Sequence, residues 1–254
     1  MVLDILAHNN WERPVYFAVT VSPDNFLNLR EYFQTDGLAY RVVPLKASQT
    51  GGIDTDKLYD KMMNQFRWGN ISDPRVYLCE TNTRLISHFR HNFGQLAAAL
   101  VAENKIDSAV RVLDRAYEVI PTYQISLSYA DLTHLEQYYR AGKKEKENAL
   151  LWYPQGEIKS VSTKATEKGS ALAENLFNTI SEELYYYMSF PKNLQNSIRN
   201  EIQNRRYVLL HTCDLARQYD RSLFDTLRAQ WDAMFPHERL DMMFQQMMFD
   251  EEEE

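Results

Sequence analysis

His88 and His91 stand three residues apart on a predicted helix, a spacing that would turn two imidazoles toward one metal ion. A zinc site needs a third ligand and hydrogen bonds that orient the first two. Neither is near in sequence, so the pair reads as exposed helix surface. The remaining histidines, His8, His134, His211 and His237, are scattered and form no nucleophile and base pattern. Glu182 and Glu183 are neighbouring carboxylates of the kind found on solvated helix surfaces. Gly51 and Gly52 read as a turn, and no glycine-rich phosphate loop occurs. The two cysteines, Cys79 and Cys213, lie in no metal-spaced or redox motif, and their pairing is left open by the sequence. No catalytic, cofactor-binding or metal residue is therefore assigned, and no cofactor is expected.

Binding chemistry is better represented. Tyr138, Tyr139, Tyr185 and Tyr186, with Tyr187 and Phe190 beside them, fall on predicted helices, and with Arg90 they form a candidate contact surface. Tyrosine and arginine combine apolar area with hydrogen bonding and suit a peptide or a sugar. Helix packing is the stronger competing reading, because successive tyrosines point in different directions and at least one must be buried. A second candidate lies near Trp11, Arg13, Tyr16 and Tyr40, where aromatic and arginine side chains beside strand ends could serve an enzyme acting on carbohydrate. The same residue types pack small sheets far more often.

The elements that would position these residues are mostly helical. Phe93, Leu96, Ala97, Leu100, Ala109, Leu113, Ala116 and Pro121 stand at the offsets of a tetratricopeptide (TPR) helix pair. Small residues let two antiparallel helices approach, large ones fill the space between them, and proline ends the second helix. The two helices are predicted from Asn82 to about Glu103 and from Asp107 to Ile120. A third, Tyr129 to Ala141, is expected to end at Gly142 and to open a degenerate second repeat. A polar loop is expected over about 154–169, with a hairpin through Ile158 to Thr163 as the alternative. Helical spacing resumes at Leu172 to Met188, runs unbroken from Pro191 to about Tyr219, and continues through Leu223, Leu227 and Trp231.

Before Asn82 the signals are mixed. Val15 to Val19, Leu38 to Leu45 and Arg75 to Leu78 read as strands, Ser22-Pro23 opens a helix with the apolar face Phe26, Leu29, Tyr32 and Phe33, and another helix starts near Asp54. The initial apolar helix is expected to end at Asn9, Asn10 and Trp11, with Trp11 buried against the sheet and Arg13 half exposed. At the other end, Leu240, Met243, Phe244, Met247 and Met248 share one helical face and are expected to dock as a final cap. Asp250 to Glu254 would then be a solvated terminus. The expected fold is mainly α, a TPR-like antiparallel helical array over 81–254 preceded by a small α/β subdomain over 1–80.

The net charge of -7 argues against nucleic acid or an anionic surface as the main partner, since both need a concentrated basic field. Lys143, Lys144 and Lys146, and Arg205 with Arg206, read as solvated helix faces. No apolar run reaches the roughly 20 residues of a membrane span. Met1 leads directly into an amphipathic stretch, as expected of an internal start in a longer protein.

Five segments carry a resemblance: NNWERPVYFAVT at 9–20, SPDNF at 22–26, GLAYRVVPLK at 37–46, DTDKLYDKMMNQFRWG at 54–69 and RHNFGQLAAALVAENKIDSAVRVLDR at 90–115. Together they resemble the C-terminal soluble region of a large bacterial membrane protein family, common in Bacteroidetes. That family is similar to C-type protein O-mannosyltransferases, and its animal relatives carry out O-mannosylation. The resemblance covers residues 1 to about 150. It implies that sugar-donor and catalytic residues lie in a membrane-embedded N-terminal part absent here, and that this region lies on the extracytoplasmic, periplasmic side. The expected role is a non-catalytic accessory module that binds a protein or peptide, engaging acceptor polypeptide, a partner subunit or the membrane-embedded part. A purely structural cap is a further alternative.

Overall fold

The computed structural model describes residues 2–37, 39–46, 52–152, 163–238, 240 and 242–244. They are mainly helical, with a small N-terminal three-stranded antiparallel sheet and packed antiparallel helices. The chain divides into two compact units, Met1–Gln124 and Ile125–Glu254.

In the first unit, helix α1 (Val2–His8) leads into β1 (Tyr16–Ala18), β2 (Phe33–Thr35) and β3 (Ala39–Val42), with β3 central in the order β1-β3-β2. The helix expected after Ser22 does not form. Two short 3-10 turns, Pro23–Asn25 and Arg30–Tyr32, flank Leu27 and Asn28, whose positive φ values of 54° and 60° break any helical path. Phe33 therefore enters a strand, and Phe17, Phe26, Phe33 and Val42 form the core beneath the sheet. The ring of Tyr40 stacks on that of Phe33 at 5.4 Å. The turn after α1 falls where expected, closed by the Asn9 side chain, which accepts from Arg13 N and donates to Arg13 O. Trp11, however, adopts φ 62° and is 49% exposed, so the expected burial is corrected. Arg13 is exposed.

Asp54 caps α2 (Thr55–Asp60) by accepting from Lys57 N at 3.1 Å, and a π-turn over Lys61–Gln65 ends it. Arg75 to Leu78 is not a strand. The chain from Phe66 to Trp68 packs instead on α3 (Glu80–Ala102): Trp68 stacks on Phe93 at 5.5 Å and meets Phe89 edge-on at 5.3 Å. Asn92 donates to Gly37 O at 2.5 Å, and Tyr123 and Gln124 donate to Ser72 O and Asp73 O. These bonds join the sheet, α3 and α4 (Ile106–Val119) within the first unit, which extends to Gln124. Between α3 and α4, Phe93, Leu96, Ala97, Ala109, Leu113 and Ala116 are fully buried, and the helix stops just before Pro121.

In the second unit, α5 (Asp131–Trp152) runs through Gly142 instead of ending there. Glycine serves close approach: a Cβ at Gly142 would lie 2.2 Å from Thr166 Oγ1. Helix α6 (Lys164–Met188) opens at a Thr163 cap, so the end of the expected loop is helical and 153–162 lie outside the described residues. The long helix after Pro191 is two, α7 (Lys192–Ser197) and α8 (Arg199–Tyr219), broken at Ile198. Last comes α9 (Arg221–Met234). Helix α6 packs on both α5 and α8, and α8 on α9. Leu240 and Phe244 are buried, as docking of the tail requires. Met247, Met248 and Asp250 to Glu254 lie outside the described residues, as do Leu38, Gly51 and the side chain of Lys146. No described helix is long and apolar enough to cross a membrane.

Candidate functional site

Two ring pairs fix the direction of the helices in the second unit. Tyr129, just before α5, meets Tyr207 of α8 with ring centroids 5.8 Å apart, and Tyr139 stacks on Tyr219 at 5.1 Å with the planes 4° apart. Both pairs advance along the chain in the same sense, so α5 and α8 run parallel. The contacts of Ser170 with Asp220 and of Glu183 with Arg205 show that α6 runs antiparallel to α8. Two parallel helices laid side by side on a third leave a groove along their seam.

The groove has a volume of about 520 Å³ between the Tyr129 and Tyr219 ends. Helix α5 presents Leu132, Thr133, Glu136 and Arg140, and α8 presents Tyr207, His211, Asp214 and Gln218, both sets at helical spacings that keep them on one face. Phe244 closes one side. Beyond Gln218 and Tyr219 a smaller hollow of about 440 Å³ continues past Tyr139 to Lys143. Each carboxylate in the groove is held by an arginine of its own helix: Glu136 by Arg140 at 2.6 Å, and Asp214 by Arg217 at 2.6 Å. Gln218 also donates to Asp214 at 2.7 Å. The imidazole of His211 lies 3.9 Å from the Tyr207 ring. Aromatic faces alternating with fixed charges of both signs can hold an extended chain through stacking and hydrogen bonds.

Tyr139 supports the end of this groove from below. Its hydroxyl meets Ser170 Oγ at 3.4 Å, and Ser170 donates to Asp220 Oδ2 at 2.6 Å. Asp220 in turn caps α9 by accepting from Leu223 N. Burial, with a smaller push from the Asp220 charge, raises the Tyr139 phenol to about 12, so it remains a neutral donor. Burial likewise pushes the Cys213 thiol up, which makes it an inert core residue, and both cysteines are free thiols.

Of the surface expected from sequence, only Tyr185 and Tyr186 are exposed, at the far end of α6. Tyr138 and Tyr139 are buried where α6 crosses α5 at Gly169. Arg90, in the first unit, is buried too. Its guanidinium donates to Ile120 O at 3.0 Å and lies over the Tyr117 ring, clamping the last turn of α4. These three residues pack the fold, and Tyr139 bears on the groove through the ring of Tyr219 that it stacks on. Tyr129, Tyr207, Tyr219, Arg140 and His211 were not singled out by sequence. The signal that could have found them is the pair of i, i+4, i+7 stripes on α5 and α8.

In the first unit Trp11, Arg13 and Tyr16 are exposed and Tyr40 packs on Phe33, so they do not converge. A groove of about 640 Å³ there is lined by Phe26, Phe33 and Tyr40, with Arg30, Thr35 and Gln95 as its polar side chains. His88 is exposed but His91 is half-buried and bonded to Gln95 at 2.9 Å, and burial first, then His88, lowers its pKa. Among the described residues no group of His, Cys, Asp and Glu could hold a metal ion.

Residues 1–59 match the model of a family described as TMEM260-associated domain 2. No curated protein and no solved structure matches the chain.

Proposed function

We propose that this chain is a non-catalytic binding module that holds an extended polypeptide in the groove between α5 and α8. The observation that carries the reading is the tyrosine pair at each end of a seam between two parallel helices. From Tyr207 to Tyr219 helix α8 rises about 18 Å, which matches about six residues of extended chain at roughly 3.1 Å each. The packing order, α6 between α5 and α8 with α9 behind, supports a TPR-like reading, because stacked antiparallel hairpins place alternate helices parallel along one inner face.

The context we propose is a glycosyltransferase-like membrane protein, with this module on its extracytoplasmic, periplasmic side and an acceptor polypeptide or partner subunit as the occupant. The match of residues 1–59 to a domain named for a membrane protein family supports the membrane context, and the resemblance over residues 9–115 supports the rest.

The test is a nuclear magnetic resonance titration of the 254-residue protein with unfolded serine- and threonine-rich peptides. Shifts are expected on α5 and α8, and Tyr207→Ala or Arg140→Ala should weaken binding by about tenfold or more. Peptide binding that leaves α5 and α8 unshifted, or no binding at all, would refute the groove assignment.

A further inference from the structure

The hollow at the Lys143 end of the groove differs from the groove itself in its charges. Along the seam each carboxylate is balanced by an arginine of its own helix, Glu136 by Arg140 and Asp214 by Arg217. The hollow of about 440 Å³ beyond is lined by Tyr139, Lys143, Thr166, Gln218 and Tyr219, and among these described residues Lys143 is the only charged one. Lys143 is exposed and stands one turn beyond Tyr139 on the same face of α5. Thr166 lies in the first turn of α6, where the helix dipole is positive. The neighbouring sequence does not cancel this charge: residues 143–147 and 163–168, KKEKE and TKATEK, hold five lysines against three glutamates. Asp220, next to Tyr219, is engaged by Ser170 Oγ at 2.6 Å and by Leu223 N at 3.1 Å.

We infer that this hollow takes a carboxylate of the chain bound in the groove, whether its C-terminal group or an Asp or Glu side chain. The inference rests on the groove reading and adds to it a charge and a register. Lys143 lies about 6 Å along α5 from Tyr139, which is about two residues of extended chain beyond the ring pair of Tyr139 and Tyr219. The ammonium supplies the countercharge, and the hydroxyl-bearing Thr166 and Tyr219 can donate beside it. A phosphate, with nearly two charges, would call for a second cation in the wall.

The test is fluorescence anisotropy of labelled serine- and threonine-rich peptides titrated with the full chain. Each has about eight residues, six for the groove and two for the hollow. One is neutral, with a C-terminal amide; one ends in a free carboxylate; two further amides carry a single Asp at the first or the last residue. At least one charged peptide is expected to bind roughly fivefold more tightly than the neutral amide, as an exposed ion pair allows, and which one does so identifies the source of the carboxylate. Lys143→Gln should abolish that preference and leave the affinity of the neutral amide unchanged, which also shows that the variant is folded. Tyr207→Ala should weaken all four. Equal affinities for the four peptides, or a preference that survives Lys143→Gln, overturn the carboxylate subsite and leave the groove reading standing. Binding by none of them overturns both.

Discussion

Replacing Gly142 with alanine should destabilise the second unit, against the helix propensity of the two residues. In the interior of a helix, alanine is favoured over glycine by about 0.5–1 kcal/mol. Here the added Cβ would lie 2.2 Å from Thr166 Oγ1, 2.7 Å from Thr163 Oγ1 and 3.0 Å from Thr166 N. The hydroxyls are on short side chains, and the amide is backbone held by the Thr163 cap, so the overlap can be relieved only by parting α5 from α6 or breaking that cap. Overpacking costs about 1–3 kcal/mol and a lost cap about 1 kcal/mol. After subtraction of the propensity gain, a net loss of about 1–2 kcal/mol is expected. Urea unfolding followed by circular dichroism would measure it, with Thr166→Ala as the second arm of a double-mutant cycle. Removing the nearest clashing atom should return part of the loss as a favourable coupling. A Gly142→Ala protein more stable than wild type by about 1 kcal/mol, or one uncoupled from Thr166, would refute the close-approach argument.

Three further outcomes follow from buried groups. Arg90→Met should cost about 2–3 kcal/mol in urea unfolding, because the Ile120 carbonyl loses its buried charged donor. Phe244→Ala should cost about 3–4 kcal/mol and increase binding of a hydrophobic dye, since the ring is 2% exposed between Phe224 and Arg217. Tyr139 should make the protein alkali-sensitive. Its folded pKa is raised to about 12, above the unfolded value near 10, so its contribution is present below about pH 10 and lost as pH rises toward 12. Tyr139→Phe should flatten that loss in a pH series of melting temperatures, and an unchanged series would show that Tyr139 titrates normally.

The parts of the fold that could be read from sequence are those in which one local pattern has one physical cause. Ala97, Ala109 and Ala116 mark the helix crossing of α3 and α4 because only small side chains fit there, and all three are fully buried. The tail behaves likewise: Leu240 and Phe244, four apart, are both buried. Misreadings arose where one pattern has two causes. Phe26, Leu29, Tyr32 and Phe33 have helical spacing, yet Leu27 and Asn28 at positive φ make them turns feeding a strand. Gly142 fits a helix end because glycine favours that place, but glycine also favours close contact, which is its role here. The break at Ile198 carries neither proline nor glycine, so sequence offered no sign of it.

The candidate site was less legible than the fold for a geometric reason. Its two walls come from α5 and α8, separated by the whole of α6, and neither wall carries a dense aromatic run. Tyr129 and Tyr139, and Tyr207 and Tyr219, stand about one groove length apart on their own segments, and they become cross-helix pairs only when α6 brings α5 and α8 side by side. The conspicuous run Tyr185-Tyr186-Tyr187 cannot line one groove, because consecutive helical residues diverge by about 100°. One of the three turns toward Arg205 and the other two toward solvent. A dense aromatic cluster in this chain thus marks a helix end facing outward. The proposed groove is marked by sparse aromatics whose spacing matches between parallel helices, and this is why peptide shifts should fall on α5 and α8 and spare Tyr185 and Tyr186.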